Sequence, residues 1–166
     1  MRFIKLIIIS IIFLSIFLTA FSFLLPPHLH IARNVEIFST RQKIRATVMD
    51  LHTWKVWNKF IEDSALTNLV ISPDGNQLNS DQLELSLKSD SIGIESTWRP
   101  AGKNSFTGGF KLMELTPGRI TVQEYFDFTF KWYPWEKFSS LIYDKQLQPI
   151  LGESLHNLKL LVENNP

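Results

Sequence analysis

Residues Leu6 to Leu25 form a run with no charged side chain, its polarity limited to Ser10, Ser15, Thr19 and Ser22. A helix rises about 1.5 Å per residue, so about 20 such residues cross the hydrocarbon core of a bilayer. Pro26-Pro27 closes the run, because a helix does not readily continue through two residues that lack an N–H donor. The chain therefore divides into an apolar segment, residues 1–26, and a domain over residues 27–166. A cleaved secretory signal is the alternative, with Arg2 and Lys5 as its charged start and a cut after Ala20 or Ser22. The apolar stretch of a signal usually runs to about 7–15 residues, shorter than this one, so a retained single-pass anchor is expected, contacting the membrane through residues 4–25. Arg2 and Lys5 favour a cytoplasmic N-terminus, although Arg33, Arg41, Lys43 and Arg45 follow the span. A folded domain can cross despite such charges, and the domain is expected on the extracytoplasmic side.

The chain carries 17 basic and 16 acidic residues. Setting aside Arg2 and Lys5 leaves the domain slightly acidic, which speaks against nucleic acid as a partner, since that needs a positive surface to displace counterions. With no cysteine, disulfides, thiolate metal sites and cysteine nucleophiles are excluded. His28, His30, His52 and His156 are scattered, so no metal site is expected. No phosphate-binding or dinucleotide-binding glycine loop is present, and no cofactor is expected. Nothing in the sequence orders a serine–histidine–aspartate triad.

Along the domain the period of the apolar residues changes. Ile31, Arg33, Val35 and Ile37 alternate with His30, Ala32, Asn34, Glu36 and Phe38, the pattern of a strand. Ser39 or Thr40 then supplies an N-cap for a short helix over Arg41 to Asp50, with Ile44, Val48 and Leu51 on one face. Trp54 and Trp57 share a face of a second short helix or turn. Packing against the sheet is the ordinary role for such a pair; lining a ligand mouth is the other. Ser72 to Asp81, with Pro73-Asp74-Gly75-Asn76, reads as a loop between strands.

Strand alternation follows in Leu83, Leu85 and Leu87, in Ile92, Ile94, Ser96 and Trp98, and in Phe106, Gly108, Phe110 and Leu112. It closes with Ile120, Val122, Glu124, Phe126, Phe128 and Phe130. Ser89-Asp90, Pro100-Ala101-Gly102 and Pro117-Gly118 mark the turns of an antiparallel meander. Leu147, Ile150, Leu151, Leu155, Leu158, Leu161 and Val162 trace a helical stripe, with Pro149 in its first turn or at a kink before it. A sheet with one apolar face needs a cover. The expected class is α+β: a curved antiparallel sheet wrapped on a long C-terminal helix, two short helices after the first strand and a membrane helix in front, with room for a cavity between sheet and helix.

Several short patterns in order resemble the polyketide cyclase/START-related (SRPBCC) superfamily, whose domain is the helix-grip fold. They are Leu24-Leu25-Pro26-Pro27, Ser39-Thr40 opening a helix, and Asp50-x-x-x-Trp54-x-x-Trp57. In the centre stand Trp98, Ser105 to Gly109, and Glu114-Leu115-x-Pro117-Gly118-Arg119-Ile120. At the end come Tyr133-Pro134 and Leu151-Gly152-Glu153-Ser154-Leu155-x-x-Leu158-Lys159-x-x-Val162-Glu163. The resemblance spans residues 27 to 164 and implies a cavity for lipids, isoprenoids, sterol-like or polyketide ligands; it does not imply catalysis.

The expected ligand-binding residues are Trp98, Phe110, Leu112, Val122, Glu124, Phe126 and Phe128. Glu124 stands out, because a carboxylate on an apolar face costs several kcal/mol unless paired or neutralised. It would orient a ligand or exchange a proton; a bulge turning it outward, or a partner such as Arg99 or Arg119, would make it ordinary. Gly108-Gly109 would bend the strand or admit a ligand. The segment Lys131 to Lys137, with Trp132, Tyr133 and Trp135, suits a membrane interface, a loop over the cavity mouth, or plain packing. The leading expectation is a membrane-anchored domain that binds a hydrophobic small molecule or lipid. An interaction module of the cell envelope with a filled core is the second reading. A cyclase-type or hydrolase-type enzyme is the third, and it lacks a second polar group beside Glu124.

Overall fold

A computed structural model describes residues 2–62 and 66–164; the outer ends of the two expected segments, residues 1 and 165–166, lie outside them. The first element, α1 (Arg2–Ser22), contains the span Phe3–Ser22, of mean hydropathy 2.6. It is long and apolar enough to cross a membrane, a test that a signal sequence also meets. After it come β1 (His28–Phe38) and three short helices, α2 (Arg41–Met49), α3 (Leu51–Trp57) and α4 (Lys59–Glu62). Six more strands follow: β2 (Val70–Ile71), β3 (Gln77–Asn79), β4 (Leu83–Ser89), β5 (Gly93–Pro100), β6 (Phe106–Thr116) and β7 (Arg119–Thr129). The last element is α5 (Pro134–Asn164), 31 residues long.

The strands form one antiparallel sheet in the order β1-β7-β6-β5-β4-β3-β2. The short helices carry the chain from one edge of this sheet to the other, and a meander brings it back until β7 pairs with β1. The α+β class and the helix-grip arrangement read from the sequence are thus the architecture of the chain.

Local chemistry explains the boundaries. The Thr40 side chain accepts from the Lys43 N–H, and that of Asp50 from the His52 N–H, so each opens a helix as an N-cap. The Asp90 carboxylate accepts from the Ile92 and Gly93 N–H groups, both at 2.7 Å, and builds the turn between β4 and β5. Gly118 turns β6 into β7 at φ +80°, a conformation that glycine adopts without steric cost.

Four details differ from the sequence reading, the first being that three short helices follow β1 where two were expected. Ile92 belongs to the Asp90 turn and is exposed instead of facing inward. Within the polar stretch from Ser72 to Asp81, β3 forms because Leu78 finds complete burial opposite Leu85. The C-terminal helix starts well before Pro149, which lies inside it. Pro134 opens α5, where a missing N–H costs nothing, and Glu136 turns back to accept from the Lys131 N–H at 2.7 Å. The helix continues past Pro149 into turns held by buried Leu151, Leu155, Leu158 and Val162.

Candidate functional site

Beneath the sheet the interior divides into a filled half and an open half. In the filled half Trp54 and Trp57 of α3 are fully buried, with ring centroids 5.1 Å apart. Both meet Phe110 of β6 edge-on, at 5.8 and 5.9 Å, and Trp54 also touches Trp98 of β5. Each buried indole N–H has an acceptor. Trp54 donates to the Val48 carbonyl, Trp57 to the Thr53 hydroxyl and Trp98 to the Ser96 hydroxyl.

The open half holds a cavity of about 700 Å³ between the end of β7, the start of β6 and the first half of α5. Its apolar wall is Phe60, Phe106, Phe126, Phe128, Phe130, Tyr143 and Leu147. Its polar rim includes Lys103, Asn104, Ser105, Thr129, Lys131, Glu136, Ser139 and Gln146, with Trp135 beside them. The wall is preformed by ring contacts: Phe106 and Phe128 lie 4.6 Å apart, Phe60 and Phe126 5.2 Å, and Phe128 and Tyr143 5.4 Å.

Of the residues expected to bind a ligand, the structure places Phe126 and Phe128 on the cavity wall. Trp98 stands one layer behind, its ring 5.5 Å from that of Phe126. Phe110, Leu112, Val122 and Glu124 are buried in the core away from the cavity lining. Alternation along β6 and β7 assigns all of them to the inner face, but it carries no information on where along a strand the interior is empty. Phe60, Phe106, Phe130, Tyr143 and Leu147 complete the wall. Phe106, Phe130 and Leu147 belong to periodic patterns visible in the sequence; Tyr143 becomes legible only once α5 is known to begin at Pro134. Phe60 sits in a helix too short to show a period.

Glu124 is 1% exposed, and neither of its carboxylate oxygens has a hydrogen-bond partner among the described residues. The two arginines considered as partners are engaged elsewhere, Arg99 with Glu84 and Arg119 with Glu36. Arg33, directly across from it on β1, is exposed. Burial alone pushes its pKa up to about 8, so the neutral acid is the resident form at neutral pH.

The two glycines of β6 have a reason other than the two anticipated. A Cβ at Gly108 would lie 2.4 Å from the Phe126 ring, and one at Gly109 would lie 2.2 Å from the Ile94 carbonyl oxygen. Their missing side chains are occupied by neighbouring strands. Among the described residues no group of three His, Asp or Glu side chains is placed to hold a metal ion.

No protein-family profile matches the chain, and no curated protein matches it by sequence. Solved structures match it by fold. A norcoclaurine synthase point mutant from Thalictrum flavum, in complex with a transition state analogue, is 10% identical and aligns with a TM-score of 0.57 over 81% of this chain and 94% of that one. A protein from Nitrosospira multiformis is also 10% identical, with a TM-score of 0.58 over 81% and 96%. CalU16 from Micromonospora echinospora is 9% identical, with a TM-score of 0.55 over 84% of each chain. The architecture is that of the START/SRPBCC helix-grip proteins.

Proposed function

We propose that the chain binds a hydrophobic small molecule or lipid in the cavity between the sheet and the first half of α5, with α1 keeping the domain at a membrane. The observation that carries this reading is the cavity itself: about 700 Å³, walled by aromatic rings and edged by polar groups. Ligand sites commonly measure about 300–1,000 Å³ and are mostly apolar with a few polar groups placed to orient the ligand. The volume favours ligand binding over an interaction module with a filled core. Burial of apolar surface drives binding at about 25 cal/mol per Å². The body of the ligand lies against Phe106, Phe126 and Phe128, and its polar end meets the rim near Lys103 and Lys131. Trp98 supports the wall from behind, and Phe110, Leu112 and Val122 belong to the packed core. Glu124 supplies a neutral acid behind the wall rather than a charge within it.

The test is a titration of detergent-solubilised, delipidated full-length chain with fluorescent fatty acyl and isoprenoid probes. Saturable binding by the wild type, lost in Ser139→Phe, is expected, because Ser139 is a small residue of the lining. Absence of saturable binding, or binding indifferent to that substitution, contradicts the reading.

A further inference from the structure

The joint between α1 and the domain is fastened at four points. The Ser22 hydroxyl donates to the Trp132 carbonyl at 3.3 Å, and the Lys137 ammonium donates to the Leu25 carbonyl at 2.7 Å. The Phe130 N–H donates to the Pro27 carbonyl at 2.8 Å, and the rings of Phe21 and Phe138 stack 5.9 Å apart. Lys137 is buried, although lysine usually reaches water; here its stem is covered and its charge is spent on the linker backbone. A flexible tether would have no use for these contacts.

What the joint displays is a patch of exposed aromatic and apolar side chains at the C-terminal end of the span. Trp132 and Trp135 are 59% and 69% exposed, and both rings contact Tyr133 between them, at 4.8 and 5.0 Å. Phe23 and Leu24, immediately after Ser22, are exposed as well. Trp and Tyr concentrate at the boundary between headgroups and acyl chains, where a ring can be half wet and half greasy. Trp135 also belongs to the cavity rim, together with its neighbours Lys131 and Glu136.

We propose that the fastened joint of α1 and α5 is a membrane-facing platform that seats Trp132 and Trp135 in the headgroup layer and thereby opens the cavity's rim directly onto the bilayer. The ligand then passes between bilayer and cavity without crossing open water. This rests on the reading of α1 as a membrane helix and of the cavity as a lipid site. The occupant of the patch is the bilayer, because Ser22, the last residue of the apolar span, is bonded to Trp132 of the patch.

The test uses full-length chain reconstituted into vesicles of phosphatidylcholine and phosphatidylglycerol. Part of the phosphatidylcholine carries bromine high on its acyl chains, where it quenches tryptophan at the interface. Trp54, Trp57 and Trp98 are buried in the domain and supply the unquenched background. Quenching of the wild type, its loss in the Trp132→Phe/Trp135→Phe double variant, and its reduction in Lys137→Met are expected. Chain that floats with the vesicles but shows equal quenching in wild type and double variant overturns the platform while leaving the anchor standing. Chain that does not float removes the membrane reading and the platform with it. A Trp132/Trp135 emission that responds to protein concentration and not to brominated lipid assigns the patch to a second copy, and also overturns the proposal. The probe titration in detergent is independent of all three outcomes.

Discussion

The two halves of the interior are built from the same residue types and behave differently. Around α3 the rings of Trp54, Trp57, Trp98 and Phe110 interlock, and their polar atoms are satisfied within the domain. Around the first half of α5 the rings of Phe106, Phe126, Phe128 and Tyr143 touch each other only along one wall and leave about 700 Å³ empty. The difference lies in what faces them. The second half of α5 presents Leu151, Leu155, Leu158 and Val162, all buried, whereas the first half presents Ser139, Gln146 and Leu147 to the cavity. Aromatic content alone therefore does not tell a core from a cavity; the side chains across from it decide.

This contrast can be broken by substitution, and the largest effect belongs to the filled half. Trp54→Ala leaves a large hole where nothing can collapse and is expected to cost about 4 kcal/mol, whereas Phe128→Ala enlarges space that already exists and should cost clearly less. Denaturant unfolding of the full-length chain in mild detergent measures both; equal losses would remove the distinction between the halves.

The next effect is a pH dependence arising from Glu124. Its pKa is about 8 in the folded chain against 4.5 without burial. The folded state therefore keeps a proton that the unfolded state has released throughout that window. Stability contributed by the neutral acid is complete at low pH and falls as pH rises from 4.5 toward 8, levelling off above. The decline should run at about 1.4 kcal/mol for each pH unit across that window. Glu124→Gln, which cannot ionise, should flatten this slope, and unfolding curves across the window would show it. An unchanged slope would mean that Glu124 is charged or solvated in the fold.

Smaller still is the cost of crowding the wall. Gly108→Ala pushes a methyl group into the Phe126 ring and is expected to destabilise by about 2 kcal/mol while tilting that ring into the cavity. A neutral result would mean that Phe126 moves freely. Ser139→Phe should change stability by less than about 1 kcal/mol, because the side chain enters open space. A large loss there would mean that the cavity closes in solution.

Much of the fold was legible because it rests on local rules. Alternation in Leu83, Leu85 and Leu87, the cap at Ser39 or Thr40, the Pro117-Gly118 turn and the stripe from Leu151 to Val162 each report a backbone state directly. The start of α5 was not legible, since Pro149 draws attention away from Pro134 as a helix opening, and the intervening turns bury polar residues such as Lys137 and Ser140 and show no clean apolar stripe. The site was legible only at Phe126 and Phe128. Parity placed Val122 and Glu124 on the same face, and only the position of α5 decides which of the four meets empty space. The signal for the rest of the wall was the aromatic density between Phe130 and Tyr143, which says that something unusual happens there without saying which rings converge.

The central claim is that the open half, and not the filled one, receives an apolar ligand. A spin-labelled fatty acid added to isotopically labelled full-length chain in detergent tests it by the nuclear resonances that the label broadens. Saturable broadening strongest at Phe106, Phe126, Phe128 and Leu147, and weaker at Leu78, Leu85 and Trp54, is the predicted pattern. Broadening spread evenly over the surface, or centred on α2 and α3, would contradict it.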